Sequence, residues 1–165
     1  MHQSFVSSAT LGDVAAVQNI ARKTWSATYT DLIPEAVQQR LLATAYSTEA
    51  LEGQIRAGET LFLVARWDEE PVGFAQFVRV SASEATLVRI YVLPEFQNRK
   101  VGSEVLSAGL GKLKDLGVAK LTVDVERDNG IGRRFYRRRS FEEVGESIAD
   151  LGGHRVALVR CELTI

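Results

Sequence analysis

The residues best able to do chemistry run from Ile90 to Ser103: Ile90-Tyr91-Val92-Leu93-Pro94-Glu95-Phe96-Gln97-Asn98-Arg99-Lys100-Val101-Gly102-Ser103. An apolar strand pattern halts at a proline, and a polar loop then enters a helical pattern. The N–H groups of such a loop and of the first helical turn have no intrahelical partner, and the helix dipole adds partial positive charge. Together they attract a phosphate or pyrophosphate. The same residues also suit an ordinary strand-to-helix connection with an exposed basic loop. A second cluster, Arg133-Arg134 and Arg137-Arg138-Arg139 around Phe135-Tyr136, interleaves cations with aromatics as a nucleic-acid surface does. It equally suits a solvated helix face, a phosphate contact, or partners for carboxylates on another element. Cys161 reads as a small buried hydrophobe. With two histidines it makes a poor metal cage, and His154 has no Ser or Cys partner in view.

These residues need elements to hold them. A short strand is predicted over residues 3–8. Thr10-Leu11-Gly12-Asp13 reads as a capping box ahead of Val14, Val17, Ala21 and Trp25 at helical spacing, so a helix runs to about Tyr29. Pro34 opens a second helix through Val37, Leu41 and Leu42, and Ser47-Thr48-Glu49-Ala50 a third through Leu51 and Ile55 to Gly58. Leu61–Ala65 and Val72–Val78 form a hairpin across the polar turn Trp67–Pro71. A strand follows over Ala85–Val92, a helix over Gly102–Leu116 stopped by Gly117, a strand over Leu121–Val125, and a short helix over Ile131–Arg138. Strands at 141–148 and 154–164 close a mixed α/β chain.

The chain has 165 residues, 45% hydrophobic and 25% charged, enough to bury one core, and no linker or repeat divides it. Its formal net charge of -1 gives no global pull toward nucleic acid or anionic membrane. No signal pattern opens the sequence, and no apolar run approaches the ~18 residues of a membrane span. A lone cysteine suits a reducing setting. One cytoplasmic domain over 1–165 is expected, with no membrane or nucleic-acid partner.

Taken in order, these features resemble the GCN5-related N-acetyltransferase (GNAT) superfamily over nearly the whole chain. Its pyrophosphate signature, Gln/Arg-x-x-Gly-x-Gly/Ala after a Tyr-Val-x-Pro strand end, is matched by Tyr91-Val92-Leu93-Pro94, Gln97 and Gly102. Its second motif, an Asn, then Phe-Tyr on a helix, then Gly-Phe, is matched by Asn129, Phe135-Tyr136 and Phe141. Asn129 stands 32 positions after Gln97, and Tyr136 seven after Asn129, spacings similar to the family's. Lys100 replaces the signature's first glycine, and Ser140 the glycine before Phe141. A β-carbon at such points removes easy access to positive φ.

The resemblance implies a mixed, mostly antiparallel sheet flanked by helices, with the strands at Ala85–Val92 and Leu121–Val125 parallel and splayed at their C-terminal ends. It implies acetyl-CoA as acyl donor and direct attack by a primary amine on a small molecule or peptide. The donor arm would lie along Ile90, Tyr91 and Val92, the last region supplying an N–H toward the thioester carbonyl. Gln97 and the amides of Asn98, Arg99, Lys100, Val101, Gly102 and Ser103 would hold the pyrophosphate, and Asn129 the pantetheine arm. Tyr136 would protonate the leaving thiolate. Asp124 is the candidate base, with Glu126 on the same strand face. Because Leu87-Val88-Arg89 lacks the glutamate many relatives carry there, a water-relayed base or deprotonation in solution stays open. No metal is implied.

Acceptor choice would fall to Thr28–Glu35 and to the connection Glu146–His154. The strings Trp25-Ser26-Ala27-Thr28-Tyr29, the helix Tyr46–Ile55 and the turn Ala149-Asp150-Leu151-Gly152 are similar to the bacterial spermidine/spermine acetyltransferase-like branch, and Asp31, Glu35 and Asp150 would offer negative charge to a polycation. Protein N-termini, amino sugars and antibiotic amines stay open, as does a homodimer. The alternative is a non-catalytic acyl-CoA-binding sensor or interaction module on the same fold, motivated by Lys100 and the missing strand carboxylate.

Overall fold

The computed structural model describes residues 1–165. β1 (Ser4–Ser8) leads through a 3-10 turn into α1 (Val14–Tyr29), followed by α2 (Glu35–Ala45) and α3 (Thr48–Arg56). Then come β2 (Thr60–Trp67), β3 (Glu70–Arg79), β4 (Glu84–Val92), α4 (Val101–Asp115), β5 (Lys120–Glu126), α5 (Gly130–Arg137), β6 (Glu142–Leu151) and β7 (His154–Thr164). The predicted capping box forms: the Thr10 backbone N–H donates to the Asp13 carboxylate at 2.9 Å. That buried carboxylate also takes Arg66 of β2 at 2.6 Å, so one acid both starts α1 and ties it to the sheet.

The seven strands lie in the order β1-β2-β3-β4-β5-β7-β6, and only β4–β5 is parallel. The β2–β3 hairpin turns on Asp68 and Glu69, both at positive φ (49° and 73°), the geometry that matches strand twist. α1 covers one face of the sheet, with Trp25 against Tyr91, and α4 covers the other. Phe77, Leu87, Leu106, Leu113 and Leu121 are fully buried in the core. α4 approaches β3 closely at Gly109, where an added Cβ would fall 2.2 Å from the Phe77 ring.

Beyond the rung Thr86↔Thr122 the parallel pair stops. β4 stays with β3 as far as Gly73↔Val92, carrying a bulge at Val88 between Gln76↔Arg89 and Phe77↔Leu87. β5 follows β7 as far as Glu126↔Leu158. The two strands therefore diverge into a V, as the resemblance implied, with the Thr86 and Thr122 hydroxyls 3.1 Å apart at its apex. The last connection departs from expectation. Glu146–Leu151 is strand, paired down to Leu151↔His154, and the turn is only Gly152-Gly153 at φ 64° and 94°. Two adjacent glycines close a hairpin tightly, which a longer reading of the loop overlooked.

Gly109→Ala is expected to destabilise the fold by about 1–3 kcal/mol through overpacking against Phe77. Gly111→Ala, in open space on the same helix, should be neutral or stabilising. Urea unfolding of the two variants checks both signs.

Candidate functional site

The loop after β4 is built by its own side chains. Gln97 Nε2 donates to the Val92 carbonyl at 3.1 Å, folding the loop back on the strand end. Arg99 lies over the rings of Trp67 and Phe96, 5.5 and 5.4 Å from their centroids, a cation–π anchor for the loop's outer side. Asn98 and Lys100 adopt positive φ, 65° and 67°, with Lys100 at the N-cap of α4. The expectation that a side chain at Lys100 or Ser140 forgoes this conformation is overturned, since Ser140 also sits at φ 67°. The backbone turns dictate the conformation, and each residue bears its cost: Ser140 closes α5 with the Phe141 N–H reaching the Tyr136 carbonyl at 3.2 Å.

No backbone N–H from Asn98 to Ser103 has an acceptor within the chain. Six consecutive donors without a partner thus lie at the positive end of α4, beside the open end of the V. Val101 contributes only backbone, its side chain being buried in the core. Gly102 packs on α5, where a Cβ would meet the Phe135 ring at 3.0 Å. α5 in turn braces α4. The Arg139 guanidinium stacks 3.7 Å from the Phe135 centroid, donates to the Phe135 carbonyl at 2.8 Å and to the Ser103 hydroxyl at 3.0 Å. Arg133 and Arg137 are occupied by Glu143, at 2.9 and 3.3 Å, so the arginine cluster is divided among several partners.

At the mouth of the V the side chains of Tyr91, Asn129 and Tyr136 come together with Tyr29 of α1. Ile90 and Tyr91 pack partly buried against the core. Asn129 caps α5, its Oδ1 accepting from the Gly132 N–H at 3.0 Å; its amide side also reaches the Tyr29 phenol. Tyr136 is buried edge-on between Phe135 and Phe141. Burial, then the neighbouring Tyr29 and Cys161, push its phenol well above the usual range. Burial raises Tyr91 most strongly as well, and raises Tyr46, where Arg89 partly offsets it. For Tyr29, burial raises, Tyr91 partly offsets, and Glu126 raises further.

Asp124 is placed differently. Arg160 of β7 grips both of its oxygens, at 2.9 and 2.8 Å, which leaves no carboxylate oxygen unengaged. Arg89, at the position lacking the glutamate, is bound to Gln76 and Gln54 at 2.7 and 3.0 Å and lies 4.4 Å over the Tyr46 ring. Sequence reasoning missed Tyr29 and the Arg139–Ser103 brace. Trp25 and Tyr29 lie four apart on α1, a spacing that carried the first signal; the brace spans 36 positions and carried none.

A sequence profile described as the Acetyltransferase (GNAT) family matches residues 15–141. The spermidine N(1)-acetyltransferase of Thermoplasma acidophilum is 28% identical over 134 residues, 79% of this chain and 83% of that protein. A crystal structure of a PaiA N-acetyltransferase from the same organism, in complex with coenzyme A, superposes with TM-score 0.86 at 24% identity, covering 99% of each chain. The ribosomal-protein-S18-alanine N-acetyltransferase of Escherichia coli superposes with TM-score 0.76 at 21% identity, over 99% of this chain and 94% of that one. At these identities the solved structures speak for the fold alone.

Two predictions follow from this geometry. Lys100→Gly and Ser140→Gly should each stabilise the protein by about 1 kcal/mol by relieving positive φ, read as raised melting temperatures. All four tyrosines hold their protons more tightly folded than unfolded. The stability this confers is complete below the unfolded value of about 10 and is lost as pH climbs toward the folded values. Phenolate absorbance should therefore appear together with unfolding rather than before it.

Proposed function

The chain belongs to the GNAT acetyltransferase family, and from that premise we propose that it transfers acetyl from acetyl-CoA to the primary amine of a polyamine-type acceptor. The observation that carries this reading is the run of six unpartnered amides at the start of α4, set where β4 and β5 diverge. That donor set fits a pyrophosphate, and the strand edge freed beyond Thr86 fits an extended, amide-bearing arm. When bound, acetyl-CoA supplies the acetyl thioester.

The chain's own residues do the rest. Gln97 fixes the loop, and the amides of Asn98 through Ser103 bind the pyrophosphate, with Arg139 holding α4 in place. The backbone of Ile90, Tyr91 and Val92 orients the arm, and Asn129 donates to it from Nδ2. Tyr136 holds the proton, at its hydroxyl, that the leaving sulfur needs. A phenol is protonated at neutral pH, the state a general acid requires, and burial only raises the pKa of Tyr136 further. Asp124 serves as base only with its Arg160 pair opened, so deprotonation through water is the simpler route. A polyamine acceptor draws support from the spermidine acetyltransferase relative. A reducing cytoplasm suits the lone, buried Cys161. The sensor alternative was motivated by Lys100, and that motivation weakens because Lys100 keeps the glycine-type turn.

Acetyl-CoA should raise the melting temperature, by about 2.7 kcal/mol of added stability at a hundred times Kd, and thiol release should then require an amine. Tyr136→Phe should lower kcat by about 10²–10⁴-fold while calorimetry shows donor affinity unchanged. No stabilisation by acetyl-CoA sinks the proposal; a kcat loss below about tenfold removes Tyr136 as the acid.

A further inference from the structure

Charges on the α1-covered face of β5 form a ladder that is filled rung by rung. Lys120 takes Glu84 of β4 at 2.8 Å and Glu162 of β7 at 3.8 Å. Thr122 shares the apex with Thr86, and Asp124 takes Arg160. Glu126 is the next residue on that face, at the end of the strand and the mouth of the V. Opposite it on β7 stands Leu158, and no cation lies within salt-bridge distance of it. One of its oxygens accepts the Asp128 N–H at 2.8 Å, which fixes the carboxylate and leaves the second oxygen free. Glu126 shares the face of Thr122, on the α1 side of the sheet, and its charge contributes to raising the Tyr29 phenol of the α1 wall. In that wall Trp25 and Tyr29 pack with centroids 4.9 Å apart, Trp25 also faces Tyr91 at 6.4 Å, and the Trp25 indole N–H is enclosed with no acceptor.

A half-buried carboxylate without a counter-charge is costly, and flat aromatic faces beside it attract a cation. We propose that Glu126, rather than Asp124, receives an ammonium group of the acceptor, with Trp25 and Tyr29 as the flanking wall, so that the site selects amines carrying a second positive charge. This deepens the acceptor half of the function proposed above and rests on it. The selected class is an aliphatic diamine or longer polyamine, one nitrogen kept charged at Glu126 and the other released to react. Glu126 is thus a specificity-determining residue, and Asp124 is a strut that neutralises Arg160.

Calorimetric titration of the CoA-saturated protein with cadaverine and with n-pentylamine, which share a carbon chain and differ in one ammonium, tests this. The wild type should bind cadaverine more tightly. Glu126→Gln should cost cadaverine about tenfold in affinity and leave pentylamine unchanged, Glu126→Asp should recover part of the loss, and Asp124→Asn should not reproduce it. In turnover the same Gln variant should raise KM for cadaverine with kcat held. Equal losses for both amines, a selective loss with Asp124→Asn instead, or no preference for cadaverine in the wild type overturns the inference while leaving donor binding intact. Failure of CoA itself to bind overturns the underlying function, a separately visible result.

Discussion

The hydroxyls of Thr86 and Thr122 mark the last place where the two parallel strands touch, and the working half of the molecule is arranged around what happens after it. Each strand leaves with a stronger partner. β4 keeps its antiparallel ladder to β3, aided by the Val88 bulge that increases local twist. β5 keeps its ladder to β7, reinforced by the bidentate Asp124–Arg160 pair. A sheet that paired to the end would have no cleft. Here the backbone groups given up between β4 and β5 stay unpaired along the cleft, an unsatisfied polar edge of the kind that folding ordinarily avoids and that an extended ligand could pair with.

The loop at the open end is strained in a similar sense. Asn98 and Lys100 hold positive φ without being glycine, each at a cost of about 1–2 kcal/mol. In return, six consecutive amides are left without a partner in the chain. Such a loop persists only if its surroundings hold it. The bracing comes from both sides, Gln97 to the strand end and Arg139 with Phe135 to the first turn of α4. The short helix α5 is therefore a clamp as well as the carrier of Tyr136.

Much of this was legible in the residues. The strand, proline, loop and helix order from Ile90 to Ser103 gave the turn that carries the unpaired amides, and the two motifs linked by Asn129 gave the family and hence the splayed sheet. What stayed hidden were contacts set by tertiary register. Nothing local says that Asp124 will face Arg160 across a ladder, because that depends on which residue of β7 arrives opposite. Nothing local distinguishes Glu126 from Asp124, since they share a face and a chemistry. Positive φ at Lys100 and Ser140 was hidden for another reason: propensity argued against it, and tertiary bracing overrode propensity. Strand β6 was ended three residues early, at Ile148, because Asp150-Leu151-Gly152-Gly153 reads as a turn, whereas Ala149–Leu151 pair on to β7.

The fork also sets how this chain can drift. Strand faces alternate with period two, so between Thr122 and Asn129 the identity of a side chain is negotiable but the count of residues is not. A single-residue deletion there would turn Glu126 toward α5 and carry Val125 into the cleft, exchanging core and site at one stroke. Length can vary freely only where no ladder reads it, as at the exposed Gly152-Gly153 turn. New specificities on this scaffold should thus arise by exchange of residues along fixed strands and by growth of distant turns, and a lineage that changes the strand lengths at the fork abandons the cleft.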